Sequence, residues 1–326
     1  MLYRVLDKLP SFTREPSSYA GGVPNFGENK DVISFGSQWT EHSKTQLDSF
    51  TGSTITEDRT RRMFGNNFHN LENALVLEAG SGSGRFTEVL LKQGAKVFSF
   101  DLSEAVTANY ANNGSHHNLV LFRAAIENLP FSGNTFDFVF CPGVLQHTKN
   151  PEKSLKTLYG HLRPGGFLVF DQYRINLSSL LRSTWIFRLF LKRMNPINSK
   201  KVIYAIVDAL LPIHKLFSRW KFAEVLLFRI SPITCHYRGY PFLSEELQKL
   251  WSRLASFDNL TDKYKRLVTL PVLRRRILRL GVSYCVIRVM PYTIEVICKK
   301  VNSGERSIKK EEIVYEWKKS SRNVSG

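Results

Sequence analysis

Cysteine is scarce: four residues in 326, at Cys141, Cys235, Cys285 and Cys298, with no C-x-x-C pair among them. That count and scatter exclude a zinc ribbon, a redox pair and a secreted disulfide framework, and make a reducing cytoplasm the expected setting. No stretch of about 18 uncharged apolar residues occurs, so no membrane span is predicted. Asp7 and Lys8 stand among the first residues without the apolar core of a leader, so no signal peptide is read there. No internal repeat or low-complexity tract is visible. What the chain has is 43% hydrophobic residues, enough to bury one large core or two smaller ones.

Acidic residues are short in one half only. Residues 1–172 carry 16 Lys and Arg against 17 Asp and Glu, whereas residues 173–326 carry 30 against 11, so the whole formal charge of +18 lies in the second half. Such a field attracts phosphate-bearing partners: nucleic acid, an anionic membrane surface or a pyrophosphate-linked substrate. A solvated basic surface with no partner is the plain alternative.

Residues 1–32 are rich in Pro, Gly, Ser and Asn and read as a loosely ordered arm. Cap helices follow over 33–72, the second entered through Thr54 or Thr56, either of which suits an N-cap. From residue 73 strands and helices alternate: strands at 74–78, 96–100, 119–122, 136–141 and 167–170, helices at 85–93, 103–112 and 151–161, the last closed by a turn at Arg163-Pro164-Gly165-Gly166. This is the pattern of a parallel sheet covered on both faces, over 73–172. A helix at 272–280 and strands at 283–289 and 293–298 complete that core within 271–300, and 301–326 form a charged tail. Between them, 173–270 read as a basic helical insertion, with helices at 177–194, 202–211, 213–228 and 245–254.

The richest stretch is Val76-Leu77-Glu78-Ala79-Gly80-Ser81-Gly82-Ser83-Gly84, a buried strand running into three alternating glycines that let a ligand approach the backbone. About twenty residues on, Asp101 ends the next strand, where a carboxylate accepts both hydroxyls of a ribose. An adenosine-containing ligand is expected. A dinucleotide fingerprint needs Gly or Ala where this chain has Arg85, which argues against NAD and FAD.

These residues resemble the first motif of class I S-adenosylmethionine-dependent methyltransferases of the type 11 kind, an acid followed by G-x-G-x-G, with Glu78 as the acid. The resemblance continues through Leu129-Pro130-Phe131, Phe136-Asp137-Phe138-Val139-Phe140, Val144-Leu145-Gln146-His147 and Leu162-Arg163-Pro164-Gly165-Gly166, in the family's order and spacing. It implies an α/β fold: a doubly wound, mostly parallel, Rossmann-like sheet of seven strands with a helical lid insertion. It further implies that S-adenosylmethionine lies with its methionine part along Gly80, Ser81, Gly82 and Gly84. Glu78 then stands near the ammonium and Asp101 on the ribose, and Leu102, Ala125, Ile126 and Gly143 complete the contacts. One departure stands out. Ala125 replaces an Asp that commonly reads the adenine amine, leaving backbone groups of Ala125 and Ile126 to do so.

Methyl transfer is an in-line displacement that depends on alignment and exclusion of water. For a hydroxyl acceptor a base is useful, and His147, after the fourth strand, is placed for it; the alternative is a His that packs the loop. Asp171 and Tyr173, at the end of the fifth strand, stand where open sheets bind ligands and are candidates to orient the acceptor. Segments around Ser34-Phe35-Gly36 and Trp251-Ser252-Arg253, with Asp258 and Tyr264, are similar to a bacterial methyltransferase subgroup of surface-polysaccharide and lipid-linked glycan pathways. Ala255 and Lys265 depart from it where acids are expected. Trp39, Tyr237 and Tyr240 are candidates to stack on a sugar. The expected reading is therefore methyl transfer to a small or glycan-like acceptor beneath a basic lid that contacts an anionic membrane surface or is merely solvated. The alternative is an RNA-binding methyltransferase, or a cofactor-binding protein without turnover.

Overall fold

The computed structural model describes residues 10–20, 22–27, 42–175 and 182–317. Its strands are β1 (Ser18–Ala20), β2 (Val23–Asn25), β3 (Leu75–Ala79), β4 (Lys96–Asp101), β5 (Leu119–Arg123), β6 (Phe136–Cys141), β7 (Leu162–Tyr173), β8 (Val282–Val289), β9 (Thr293–Lys300) and β10 (Val314–Trp317). They form one sheet in the order β1-β2-β5-β4-β3-β6-β7-β9-β8-β10. The helices are α1 (Asp48–Thr51), α2 (Ile55–Phe64), α3 (Arg85–Lys92), α4 (Ala105–Asn113), α5 (Pro151–His161), α6 (Thr184–Leu191), α7 (Pro196–Phe217), α8 (Lys221–Ile230), α9 (Glu245–Thr261) and α10 (Leu270–Leu280).

Strands β3 to β7 run parallel because each is joined to the next by a crossover, and β9 pairs antiparallel with both β7 and β8. Alternation along each strand feeds two cores, one on each face. In β6, Val139 and Cys141 enter one cluster while Phe138 and Phe140 enter the other. Period-two burial on both sides is what a doubly covered sheet requires. The strand order reverses at β3: β4 and β5 lie on one side, β6 and β7 on the other. Loops leaving β3 and β6 therefore diverge, opening a crevice at the carboxyl ends of the strands.

Seven strands were expected and ten are present among the described residues. The additional ones come from segments read as arm and tail. Strand β2 meets β5 in parallel at Asn25 and Arg123, held by rings of Phe12 and Phe26 at 4.6 Å that pack against Phe122 and Phe131. Strand β10 runs parallel to β8, anchored by the buried Ile313. Elements of three or four residues carry too little periodicity to be read from a sequence.

Other expectations change in detail. The turn at residues 163–166 is a bulge within β7, where the β6–β7 register shifts between Phe136 and Phe138. Thr54 is the N-cap of α2 but its hydroxyl donates to Asp58, and Thr56 lies inside the helix; the carboxylate of Asp48 accepts from Thr56 N at 3.0 Å and Glu57 N at 2.8 Å. Pro212 sits inside α7 rather than between two helices, since buried Ile203, Val207 and Leu211 hold that helix on one continuous stripe. The first cap helix falls partly, and Trp39 wholly, outside the described residues, as do positions 177–181 of the first insertion helix.

The insertion has its own small core, in which Leu191, Ile203, Val207, Phe257 and Leu260 join α6, α7 and α9. It is pinned across the crevice by Trp251 Nε1 donating to Thr45 O at 2.7 Å and by Val268 N donating to Tyr173 O at 2.9 Å. No helix among the described residues is long and apolar enough to cross a membrane.

Candidate functional site

The turn after β3 is built from backbone conformations that favour glycine. Gly80, Gly82 and Gly84 have φ of 77°, 52° and 91°. A Cβ on Gly80 would lie 2.2 Å from Val144 Cγ2, and one on Gly84 would lie 2.1 Å from Asn109 Oδ1. The first glycine thus lets the β3 and β6 loops meet, and the last lets α3 pack on α4. Gly80 N and Ser81 N both donate to Phe100 O, at 2.8 and 3.0 Å, fastening the turn to β4.

Asp101, at the end of β4, receives Gly82 N on Oδ2 at 3.0 Å, and Ser103 N and Oγ on Oδ1 at 2.8 and 2.7 Å. A carboxylate has about four acceptor positions, so one on Oδ2 is left for a ligand. Glu78 is fully buried behind the turn. Its Oε2 accepts from Thr87 Oγ1 at 2.5 Å and Ser99 Oγ at 2.7 Å, while Oε1 has no partner among the described residues. Burial raises its pKa to about 7 against the opposing pull of those two hydroxyls.

The crevice is a cavity of about 920 Å³, near the top of the range of about 300–1,000 Å³ for small-molecule sites. Gly80, Ser81, Gly82, Asp101, Leu102, Ala125, Ile126 and Gly143 all border it, as do His147 and Tyr173. Glu78, Gly84 and Asp171 do not. Asp171 was expected to orient an acceptor; instead it is fully buried in β7, taking Gly143 N on Oδ1 at 2.6 Å and Arg59 Nη2 on Oδ2 at 2.6 Å. Its position fixes the Gly143 backbone and a wall arginine. Tyr237 donates to Glu245 away from the cavity, whereas Tyr240 lines it.

At the end of the cavity covered by the insertion, His147 Nδ1 lies 3.3 Å from Asp262 Oδ2, with its ring edge-on to Tyr173 at 5.8 Å. Burial lowers the imidazole pKa, but Asp262, Asp258 and the Tyr264 backbone together outweigh it, and the net shift is upward from 6.5. These surroundings favour an imidazolium. Asp262 also pairs with Arg188 of α6, so one buried carboxylate ties the insertion to the loop after β6. Tyr173 remains a phenol, its pKa driven far up by burial and then by Asp258 and Asp171.

Three residues that the sequence did not single out as catalytic or binding groups belong here. Asp258, one α-helical turn before Asp262 in α9, borders the cavity, and its pKa is raised by burial and Asp262 against the opposing charges of His147 and Lys265. Arg59 and Arg85 also border it. Burial, reinforced by Arg59, lowers Arg85 to about 10, and Arg85 makes no ion pair among the described residues. The i, i+4 spacing of Asp258 and Asp262 was the available signal. Lys265 turns to Asn259, and Ala255 lines the cavity.

Residues 77–170 match a family model described as a methyltransferase domain. Among curated proteins, the ubiquinone biosynthesis O-methyltransferase of Coxiella burnetii is 28% identical over 123 residues, 36% of this chain and 53% of that protein. The tRNA U34 carboxymethyltransferase of Helicobacter acinonychis is 31% identical over 137 residues, 40% of this chain and 50% of that protein. The chain thus spans about half the length of these relatives. Among solved structures, the Burkholderia thailandensis 1,6-didemethyltoxoflavin-N1-methyltransferase is 14% identical with a TM-score of 0.45, covering 89% of this chain and all of that one.

Proposed function

Because residues 77–170 form a class I S-adenosylmethionine-dependent methyltransferase domain, we propose that this chain methylates a hydroxyl of a small, sugar-like acceptor bound beneath its helical insertion. One observation carries the reading: the glycine turn, Asp101 and the carboxylate of Asp258 all open into a single cavity of about 920 Å³, room for both reactants. The cavity walls also offer Tyr240, Tyr264 and Tyr292, rings suited to a sugar face. The Coxiella relative is named an O-methyltransferase, which agrees with oxygen as the acceptor atom.

The residues present fit the cofactor. The turn presents Gly80, Ser81 and Gly82 to the cavity, Asp101 keeps one acceptor position for a ribose hydroxyl, and the orphan Oε1 of Glu78 suits an ammonium over the turn or the water between them. The cofactor supplies a methyl group made electrophilic by a sulfonium. The protein's part is to align the acceptor, exclude water and remove a proton. Asp258 is the group we assign to the proton: it faces the cavity, accepts no side-chain hydrogen bond among the described residues, and is shifted toward neutral pH. His147, whose own pKa is raised, lowers the pKa of Asp258 when protonated.

The test is transfer of label from methyl-labelled cofactor to a panel of hydroxylated acceptors, read by mass spectrometry. Label on oxygen is expected; label on nitrogen or carbon alone contradicts the reading. Asp258→Asn should cut kcat by about 10²–10⁴-fold while cofactor affinity, measured by calorimetry, stays within about twofold. In the wild-type chain kcat falls as pH drops through the raised pKa of Asp258. His147→Gln removes the neighbouring cation, so this acid limb should move to higher pH. An unmoved limb would release Asp258 from the role.

A further inference from the structure

Helix α8 turns an apolar face to solvent. Phe222, Val225, Leu226 and Ile230 recur at helical spacing and are all exposed, Phe222 at 84%, and no residue of 222–230 is buried. A stripe of that kind normally faces a core. The pattern continues on both sides: Leu216 at the end of α7 is 71% exposed, Trp220 in the joining turn 66%, and Phe190 in α6 66%. The N-cap of α6 is tied to the end of α8 by Ser183 N donating to Arg229 O at 2.9 Å. Exposed apolar side chains grouped along one helix and the ends of its neighbours mark a docking site.

The polar rim has one sign. Residues 182–230 hold ten Lys and Arg against two acids, Asp208 and Glu224. Both acids are already paired within the insertion, Asp208 with Arg253 and Lys249, Glu224 with Arg238. Arg219 and Arg229, flanking the stripe, are exposed and make no ion pair among the described residues. The helix also rests on the cavity rim. The ring of Phe228 lies 5.3 Å from that of Tyr292, in the β8–β9 turn that lines the cavity.

We infer that α8, with the adjoining ends of α6 and α7, is a docking surface for an anionic lipid bilayer, on which it lies in the plane of the interface. Large apolar side chains flanked by unpaired cations fit the acyl boundary beneath acidic headgroups. RNA gives little return for exposing Phe222, Leu226 and Ile230, because its binding comes from phosphate charge and base stacking. A second copy of the chain would bring two strongly basic surfaces together. The inference does not depend on the reaction assigned to the cavity, although it would place the cavity mouth where a membrane-borne molecule arrives.

The test is co-sedimentation of the full chain with sucrose-loaded phosphatidylcholine vesicles, with and without about 30% phosphatidylglycerol. Anionic vesicles should bind at least about tenfold more strongly than neutral ones, and added salt should weaken the binding. Phe222→Ser with Leu226→Ser, and separately Arg219→Glu with Arg229→Glu, should each lower partitioning at least about tenfold. Both pairs lie on solvent-facing positions, so their thermal midpoints should match wild type. Absence of binding to anionic vesicles would overturn the inference, as would binding that the apolar pair leaves unchanged. So would a wild-type dimer that the apolar pair converts to monomer in light scattering, or tRNA binding lost only with the arginine pair in a chain that ignores vesicles.

Discussion

Glu78 is a buried acid whose protonation couples to stability and, under the proposed function, to binding. Its neutral form is favoured in the folded chain, with the pKa raised from 4.5 to about 7 by burial. The stability this confers is fully present below pH 4.5 and is lost as pH rises through about 7. Glu78→Gln should therefore leave the thermal midpoint near that of wild type at acidic pH and exceed it above pH 7. A cation over Gly80 and Gly82 reverses the preference, favouring the carboxylate. Cofactor binding near neutral pH should then release protons, seen as a heat that varies with buffer ionisation enthalpy, and a buffer-independent heat would contradict this role. The acid was legible as part of the acid–glycine motif, and so was Asp101. Burial of Asp171 was not, because a strand's carboxyl end reads as a ligand site until Arg59, from 112 residues earlier, is seen to reach it.

At the scale of elements, the central strands and α5 were legible because period two and period 3.6 are strong over five residues or more, and Asn150 with Pro151 announces the α5 start. The start of α2 was legible at Thr54, but the group that satisfies it was not. Its first-turn N–H groups are satisfied by Asp48, eight and nine residues before the donors it accepts from, a distance no local capping rule spans. Asp48→Ala should destabilise the chain by about 1–2 kcal/mol, measured by urea unfolding, whereas Thr54→Ala should cost less because Thr54 makes no cap hydrogen bond. Equal costs would show that the threonine is the true cap. A proline lacks the backbone donor, so Pro212 reads locally as a break in α7. Packing of Leu211 and His214 on the same buried face kept it whole.

At the scale of the molecule, division into a nearly neutral first half and a strongly basic second half was visible in the residue counts. What the counts could not give is that α9 returns Asp258 and Asp262 to the loop holding His147, more than a hundred residues away in the chain. Long-range closure of this kind has no sequence period. It brings Asp258 to the same cavity that the glycine turn and Asp101 border. Under the proposed function the glycine turn and Asp101 together hold an adenosyl sulfonium. Titration calorimetry of the full chain with S-adenosylmethionine and its demethylated product tests that directly. Binding of both is predicted, weakened at least about tenfold by Asp101→Ala through loss of a charged hydrogen-bond acceptor. Binding of neither, with tight binding of a nicotinamide or flavin nucleotide instead, would contradict it.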